Sequence, residues 1–204
     1  MVRRALLLID VINDFFHPEG MNYHPEYDQI LDWIEKVLTL AREKNLMVIH
    51  VRENHPSQHL DDYEFEKLPM HCTSDSSSID WAPGIEVLEK EFIIEKRRYS
   101  AFFETGLNLL LKEAKIDQVI IVGVKTHVCI RATTQDAFGW GYRPKLIKEA
   151  VGSNYHHLHE ASLEDIANIV SKDTTLSAKV LQLVNSSFYS LRQKVDTLTW
   201  ALAL

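Results

Sequence analysis

An α/β architecture follows from three features of the chain. The segments that end at Asp10 (ALLLI) and run through Val119–Val124 (VIIVGV) are continuous apolar runs of strand length, the form taken by parallel strands covered on both faces. Such segments alternate with stretches whose apolar residues recur at helical spacing, which is the βαβ pattern of a parallel sheet. The 204 residues, 46% hydrophobic and 25% charged, have ordinary globular composition and enough length to bury a core without covalent staples. Together these predict a Rossmann-like, doubly wound parallel sheet with helices on both faces, followed by a mostly helical C-terminal tail.

Arg4–Ile9 is the first strand. Tyr27–Lys44 is a helix, because Ile30, Leu31, Ile34, Val37, Leu38 and Ala41 fall on one face. Leu46–Val51 is the second strand. Residues 52–83, with His, Asp, Ser and Pro and little periodicity, form a loop of a length that is usually functional or disordered. Pro83-Gly84 marks a turn, followed by a short helical stretch through Leu88. Phe92–Glu95 is the third strand, Thr105–Ala114 a helix with Leu107, Leu110 and Leu111 on one face, and Gln118–Val124 the fourth strand. Val128–Phe138 reads as a helix stopped near Gly139 and Gly141, and Lys145–Lys148 as the fifth strand. From about Ser162 the pattern becomes mostly helical, with Leu176, Val180, Leu181, Val184 and Phe188 on an apolar face and no Gly, Pro or Ser linker at the change.

Three reactive side chains end three of these segments: Asp10, Lys96 after FIIE, and Cys129 after VIIVGVKTHV. Sites in doubly wound sheets lie beyond the carboxyl ends of the strands, so the topology directs all three to one edge. Only a thiolate attacks well. A helix start at Cys129 and the ammonium of Lys96 would both favour that anion, while Asp10 could take the thiol proton and deliver it to a leaving group such as ammonia. Backbone N–H groups of Lys125 and Cys129 could form an oxyanion hole. Taken singly, each residue has a plainer reading. A lone cysteine after a strand is ordinarily a small buried residue, Asp10 could cap or turn the chain, and Glu95-Lys96-Arg97-Arg98 could be a solvated charge run. Their joint placement is what singles them out.

The formal charge of −7 argues against a nucleic-acid partner. No stretch approaches the length of a membrane span, and the Met-Val-Arg-Arg start lacks the long apolar region of a signal peptide. Cys72 and Cys129 are therefore expected as reduced thiols in a cytoplasm.

The segments LLLIDVINDFF, VIHVRENHP, LPMHC, IIEKRRYSAFFETGL and VIIVGVKTHVCIRATTQDAFGWGY resemble, in family order, those of the isochorismatase-like cysteine hydrolases, and within them the nicotinamidase-related branch. The resemblance implies Asp10, Lys96 and Cys129 as a catalytic triad needing no cofactor. It also implies a cis peptide at Val124–Lys125 that aims the Lys125 and Cys129 amides at the oxyanion, a small-molecule amide as substrate, and a homo-oligomer. Glu53-Asn54-His55-Pro56 and Pro69-Met70-His71-Cys72 resemble the metal-bearing segments of that branch, implying Glu53, His55 and His71 as ligands of a divalent ion such as zinc. Loop histidines without a metal are the alternative, and Glu53 stands where the family usually has Asp.

The pocket expected from the resemblance comprises Phe15, Leu68 and Val124. Leu68 replaces the tryptophan usual before Pro-x-His-Cys, and Ile12 replaces a glutamine. Losing a stacking tryptophan removes a large planar contact, so the reaction type transfers better than nicotinamide itself. A metal-free hydrolase of a vinyl ether or ureido compound is the rival within the enzyme class. Residues from about 162 resemble part of a second family, the HDOD signalling module, through LSAKVL and NSSFY. The expected division is a hydrolase domain over 1–165 and a helical segment over 166–204, either part of that module or the closing elements of the hydrolase, with Ile169-Val170 as a sixth strand. A non-catalytic regulatory fusion is the rival from outside the enzyme class.

Overall fold

The computed structural model describes residues 2–56 and 63–169. Its elements are β1 (Arg4–Ile9), α1 (Asn13–Phe16), α2 (Tyr27–Glu43), β2 (Met47–Glu53), β3 (Phe92–Lys96), α3 (Leu107–Glu113), β4 (Gln118–Val124), α4 (Arg131–Gly139), β5 (Arg143–Gly152) and α5 (His156–Ile169), with short 3-10 turns at Tyr63–Glu66 and Ser77–Ile79. The five strands form one sheet in the order β3-β2-β1-β4-β5, and every neighbouring pair is parallel.

The apolar runs explain this layering. In β1, Ala5, Leu7 and Ile9 face one core with Leu107 and Leu111 of α3, Ala137 of α4 and Leu163 and Ile166 of α5. Leu6 and Leu8 face the other, against Ile34, Val37, Leu38 and Ala41 of α2. A strand covered on both sides has no solvent face, which is why β1 and β4 carry no polar alternation. The chain leaves β1 for β2 in one direction and reaches β4 in the other, so the switch point lies between β1 and β4, where such sheets hold their ligands.

Several boundaries move. The third and fifth strands extend to Lys96 and Gly152. Residues 85–88 after Pro83-Gly84 form no helix, their chain being tied to its surroundings by Arg42, which donates to the Glu86 carbonyl. The helix expected from Val128 begins instead as a π-helical turn over Thr126–Ile130, in which the Ile130 amide reaches back five residues to the Lys125 carbonyl at 3.2 Å. The C-terminal helix begins at His156, ahead of Ser162, and Ile169, expected to start a strand, is helical and is the last described residue. The helix passes through residue 165 without a break. The HDOD-like pieces and the apolar face from Leu176 to Phe188 lie outside the described residues.

Candidate active site

Parallel pairing brings every strand's carboxyl end to one edge. Ile9 pairs with Val51 on one side and Gly123 on the other, and Glu53 pairs with Lys96. Asp10, Glu53, Lys96 and Lys125 therefore emerge side by side. Asp10 departs from the strand with φ of 54°, a left-handed conformation that aspartate tolerates better than most side chains. The Val124–Lys125 peptide is cis, and the Lys125 carbonyl accepts from the Val128 and Ile130 amides.

Lys96 is the hub. Its ammonium lies 2.9 Å from Asp10 Oδ2, an ion pair outside hydrogen-bond alignment, 3.3 Å from Glu53 Oε2 and 3.6 Å from Cys129 Sγ. The Glu53 amide donates to Asp10 Oδ1 at 2.7 Å, leaving Oδ2 with lone-pair capacity. All four side chains are buried. Burial is the largest influence on each. It pushes Lys96 down, yet Asp10, Cys129 and Glu53 hold the ammonium well above its usual range. Burial pushes Glu53 up, but Lys96 and the hydrogen bonds of His55 and His71 take it well below the carboxylate range. Asp10 stays raised, because burial and the Glu53 charge outweigh Lys96. The Cys129 thiol is pushed well above its ordinary value by burial, against Lys96 and with the charges of Asp10 and Glu53. This corrects the sequence-based picture of a resting thiolate held by Lys96: two neighbouring carboxylates in a dry site oppose a third anion.

Cys129 opens onto a cavity of about 330 Å³ lined by Phe15, Leu68, Tyr99, Lys125, His127 and Tyr155 among others. Phe15 and Leu68 are where the sequence places them. Val124 is not: it is wholly buried in the core on the α2 side, because strand alternation turns it away from the edge. A larger cleft of about 510 Å³ beside α1 and Ser76–Ser78 is lined by neither Cys129 nor Lys96. Lys125 and His127 both line the Cys129 cavity. Asn22, Tyr99, Asn154 and Tyr155 also line it; Tyr99 lies within the IIEKRRYSAFFETGL segment, while no short motif marks the other three, which arrive from loops.

The expected metal ligands converge. His55 Nε2 and His71 Nε2 approach the same oxygen, Glu53 Oε1, at 2.8 and 3.1 Å, and their rings lie 5.4 Å apart. His71 Nδ1 donates to the Pro69 carbonyl at 2.7 Å, so a neutral ring would point a lone pair at the carboxylate. Only a positive species between them satisfies both, either a proton or a metal cation. Without a metal, burial lowers the His71 pKa but Glu53 and Pro69 raise it to about 9. A carboxylate, two imidazoles and a carbonyl that orients one ring form a donor set that fits a divalent ion.

The sequence model of the Isochorismatase domain matches residues 4–177, and that of the HDOD domain matches residues 153–204. A probable inactive nicotinamidase of Arabidopsis thaliana is 31% identical over 180 residues, covering 84% of this chain and 92% of its own. An isochorismatase-like hydrolase from Alkaliphilus metalliredigens superposes with a TM-score of 0.78 at 30% identity, covering 83% and 93% of the two chains. A pyrazinamidase of Pyrococcus horikoshii, solved in complex with zinc, gives a TM-score of 0.75 at 28% identity over 82% and 96%. Five parallel strands, their shared carboxyl edge and the match over most of its length establish that this chain belongs to the isochorismatase family of hydrolases.

Proposed function

We propose that the protein is a cysteine hydrolase that cleaves the C–N bond of a small amide through a thioester. The observation that carries this is the position of the Lys96 ammonium, 2.9 Å from Asp10 and 3.6 Å from Cys129, beside a thiol that opens onto a cavity. Asp10, with its raised pKa, is the base. It takes the Cys129 proton as sulfur attacks the carbonyl carbon. The oxyanion forms against the Lys125 and Cys129 amides. The C–N bond then breaks as Asp10 passes the proton to nitrogen, and ammonia or an amine leaves. Water attacks the thioester with Asp10 again taking a proton. The C–S bond breaks, the thiol is restored and a carboxylic acid departs. Lys96 keeps its charge throughout and stabilises the negative charge that moves between sulfur and Asp10.

Ammonia release from a panel of small amides tests this. Cys129→Ala is expected to lose at least about 10³-fold in rate, and a variant that retained full activity would end the proposal. Glu53, His55 and His71 would hold a divalent ion, which when bound would supply a Lewis-acid contact for a substrate ring nitrogen or carbonyl. Metal analysis of protein loaded with zinc is expected to give about one ion per chain, lost in His71→Ala. A metal-free hydrolase of a non-pyridine compound is the second reading, favoured by Leu68 standing exposed at the cavity where a stacking tryptophan would serve an aromatic ring.

The proposed setting is a reducing cytoplasm, with both cysteines free; no helix among the described residues is long and apolar enough to cross a membrane. We read residues 166–204 as a helical segment appended to the hydrolase domain, and the protein as a homo-oligomer. The exposed Leu109, Phe138 and Trp140 on and beside α3 and α4 support self-association, which a mass measurement in solution checks.

A further inference from the structure

The cavity in front of Cys129 contains a cation that the amide chemistry does not use. Lys125 sits between β4 and the π-helical turn, four residues ahead of the nucleophile, and its side chain lines the cavity. It is half-buried. Its ammonium donates to Asn22 Oδ1 at 2.7 Å and lies 5.6 Å from the Phe15 ring centre. Both partners are uncharged, and among the described residues Lys125 has no ion pair with a carboxylate. Asn22 is held in this pose, its amide nitrogen donating to the buried Asp14 at 2.6 Å, so that its oxygen faces the lysine. Asp14 thus orients Asn22 without touching Lys125.

The other charges at the cavity are matched. Glu53 is met by Lys96 at 3.3 Å and His71 at 3.1 Å, and Glu64 by Arg98 at 3.6 Å. Among the described residues, Lys125 is the one charged lining residue without an opposite charge beside it. A partly desolvated ammonium beside an aromatic face and an amide oxygen gains most from a ligand that brings the missing anion. Burial lowers its pKa while the negative groups around the site oppose that, the condition a bound carboxylate would relieve.

We propose that Lys125 is a specificity-determining residue and that the substrate is an amide that also bears a carboxylate, the acid held by Lys125 while the amide carbonyl meets Cys129. This rests on the amidase reading of the same site and narrows it from amides in general to anionic monoamides. It also accounts for Leu68, since an aliphatic acid amide needs no aromatic stacking partner.

The test compares the monoamides of malonic, succinic and glutaric acids with their methyl esters, which keep the amide and lose the charge. For the best chain length, the acid is expected to exceed its ester at least tenfold in kcat/KM. Lys125→Met is expected to lower the acid's kcat/KM by about 10–100-fold, mainly through KM, the worth of one charge-assisted contact. The acid-to-ester ratio should fall toward one, and Lys125→Arg should recover most of it. A parent enzyme indifferent to the charge, or a Lys125→Met enzyme that keeps the preference, overturns the proposal. So does an equal loss on both substrates, which would place Lys125 in the chemistry and not in recognition. Calorimetric binding of succinate to the Cys129→Ala protein gives an answer that needs no turnover. It should weaken at least tenfold when Lys125→Met is added, and no binding, or no weakening, counts against the proposal. Failure of the broader amidase reading shows up separately, as a parent protein that releases ammonia from none of the amides.

Discussion

Lys96 is enclosed between two carboxylates and a thiol, its own side chain shut off from solvent, so its charge is structural as well as chemical. Lys96→Met leaves Asp10 and Glu53 facing one another without a cation, which costs roughly 3–5 kcal/mol. Urea unfolding should record that loss. Adding Asp10→Asn should return part of the stability and none of the activity, a split that simple misfolding would not produce. The protonation states make a second prediction. Because Asp10 acts as base and its pKa is raised above 3.8, activity is lost as pH falls through that raised value. The acid limb of kcat/KM therefore belongs above the ordinary aspartate value, and a limb centred at or below 3.8 would exclude Asp10 as the base. The two thiols should also separate. Cys72 is fully buried, with burial and then the Glu53 charge raising its pKa. Iodoacetamide should label Cys129 first in the native protein and reach Cys72 only on unfolding. Equal rates would show that Cys129 has no special access.

Among the secondary-structure elements, β4 has least freedom. Gly123 pairs with Ile9 at a φ of 116°, and a Cβ there would fall on the Ile9 carbonyl oxygen. Backbone is the obstacle, so neither rotamer change nor side-chain shift relieves it. Gly123→Ala is expected to cost about 3 kcal/mol or more, the sum of the unfavourable backbone region and displacement of β1. Since the displaced segment ends at Asp10 and Gly123 precedes the turn carrying Cys129, activity should fall further than the folded fraction does. Thermal unfolding and specific activity measured on the same samples check this. The π-helical turn has its own role. It lets the Lys125 carbonyl accept from both Val128 and Ile130, which seats Cys129 at the start of the run into α4.

For the molecule as a whole, stability toward acid depends on groups far from the site. Glu91 receives Arg42 Nε at 2.7 Å and His50 Nε2 at 2.9 Å, joining α2 and β2 to the segment before β3. Burial raises its pKa, but Arg42, the Leu88 amide and His50 bring it down to about 2 from 4.5. A carboxylate depressed in the folded state adds stability that is complete above the unfolded value and fades as pH falls toward 2. With Arg42 only half-buried, solvent screening holds the contribution to about 1 kcal/mol. Glu91→Gln should therefore lower Tm at pH 7, and its deficit against the parent should shrink steadily between pH 5 and pH 2. A constant deficit would mean lost packing in place of lost charge.

Much of this architecture was legible in one dimension. Unbroken apolar runs such as ALLLI, of strand length and alternating with helical segments, fit a strand covered on both faces, and helical spacing over Ile30–Ala41 fits an amphipathic helix. Residues that end such strands, Asp10 and Lys96 among them, are carried to one edge by parallel pairing alone, so their meeting could be anticipated from order along the chain. Direction and distance could not. That Val124 turns into the core while Lys125 turns into the cavity depends on alternation at a strand end, and that Asn22 rather than a carboxylate receives the Lys125 ammonium depends on a loop with no periodic signal. The protonation of Cys129 was least accessible of all. It reflects the balance among burial, one ammonium and two carboxylates at a few ångströms, and such a balance exists only once distant segments share a dry site.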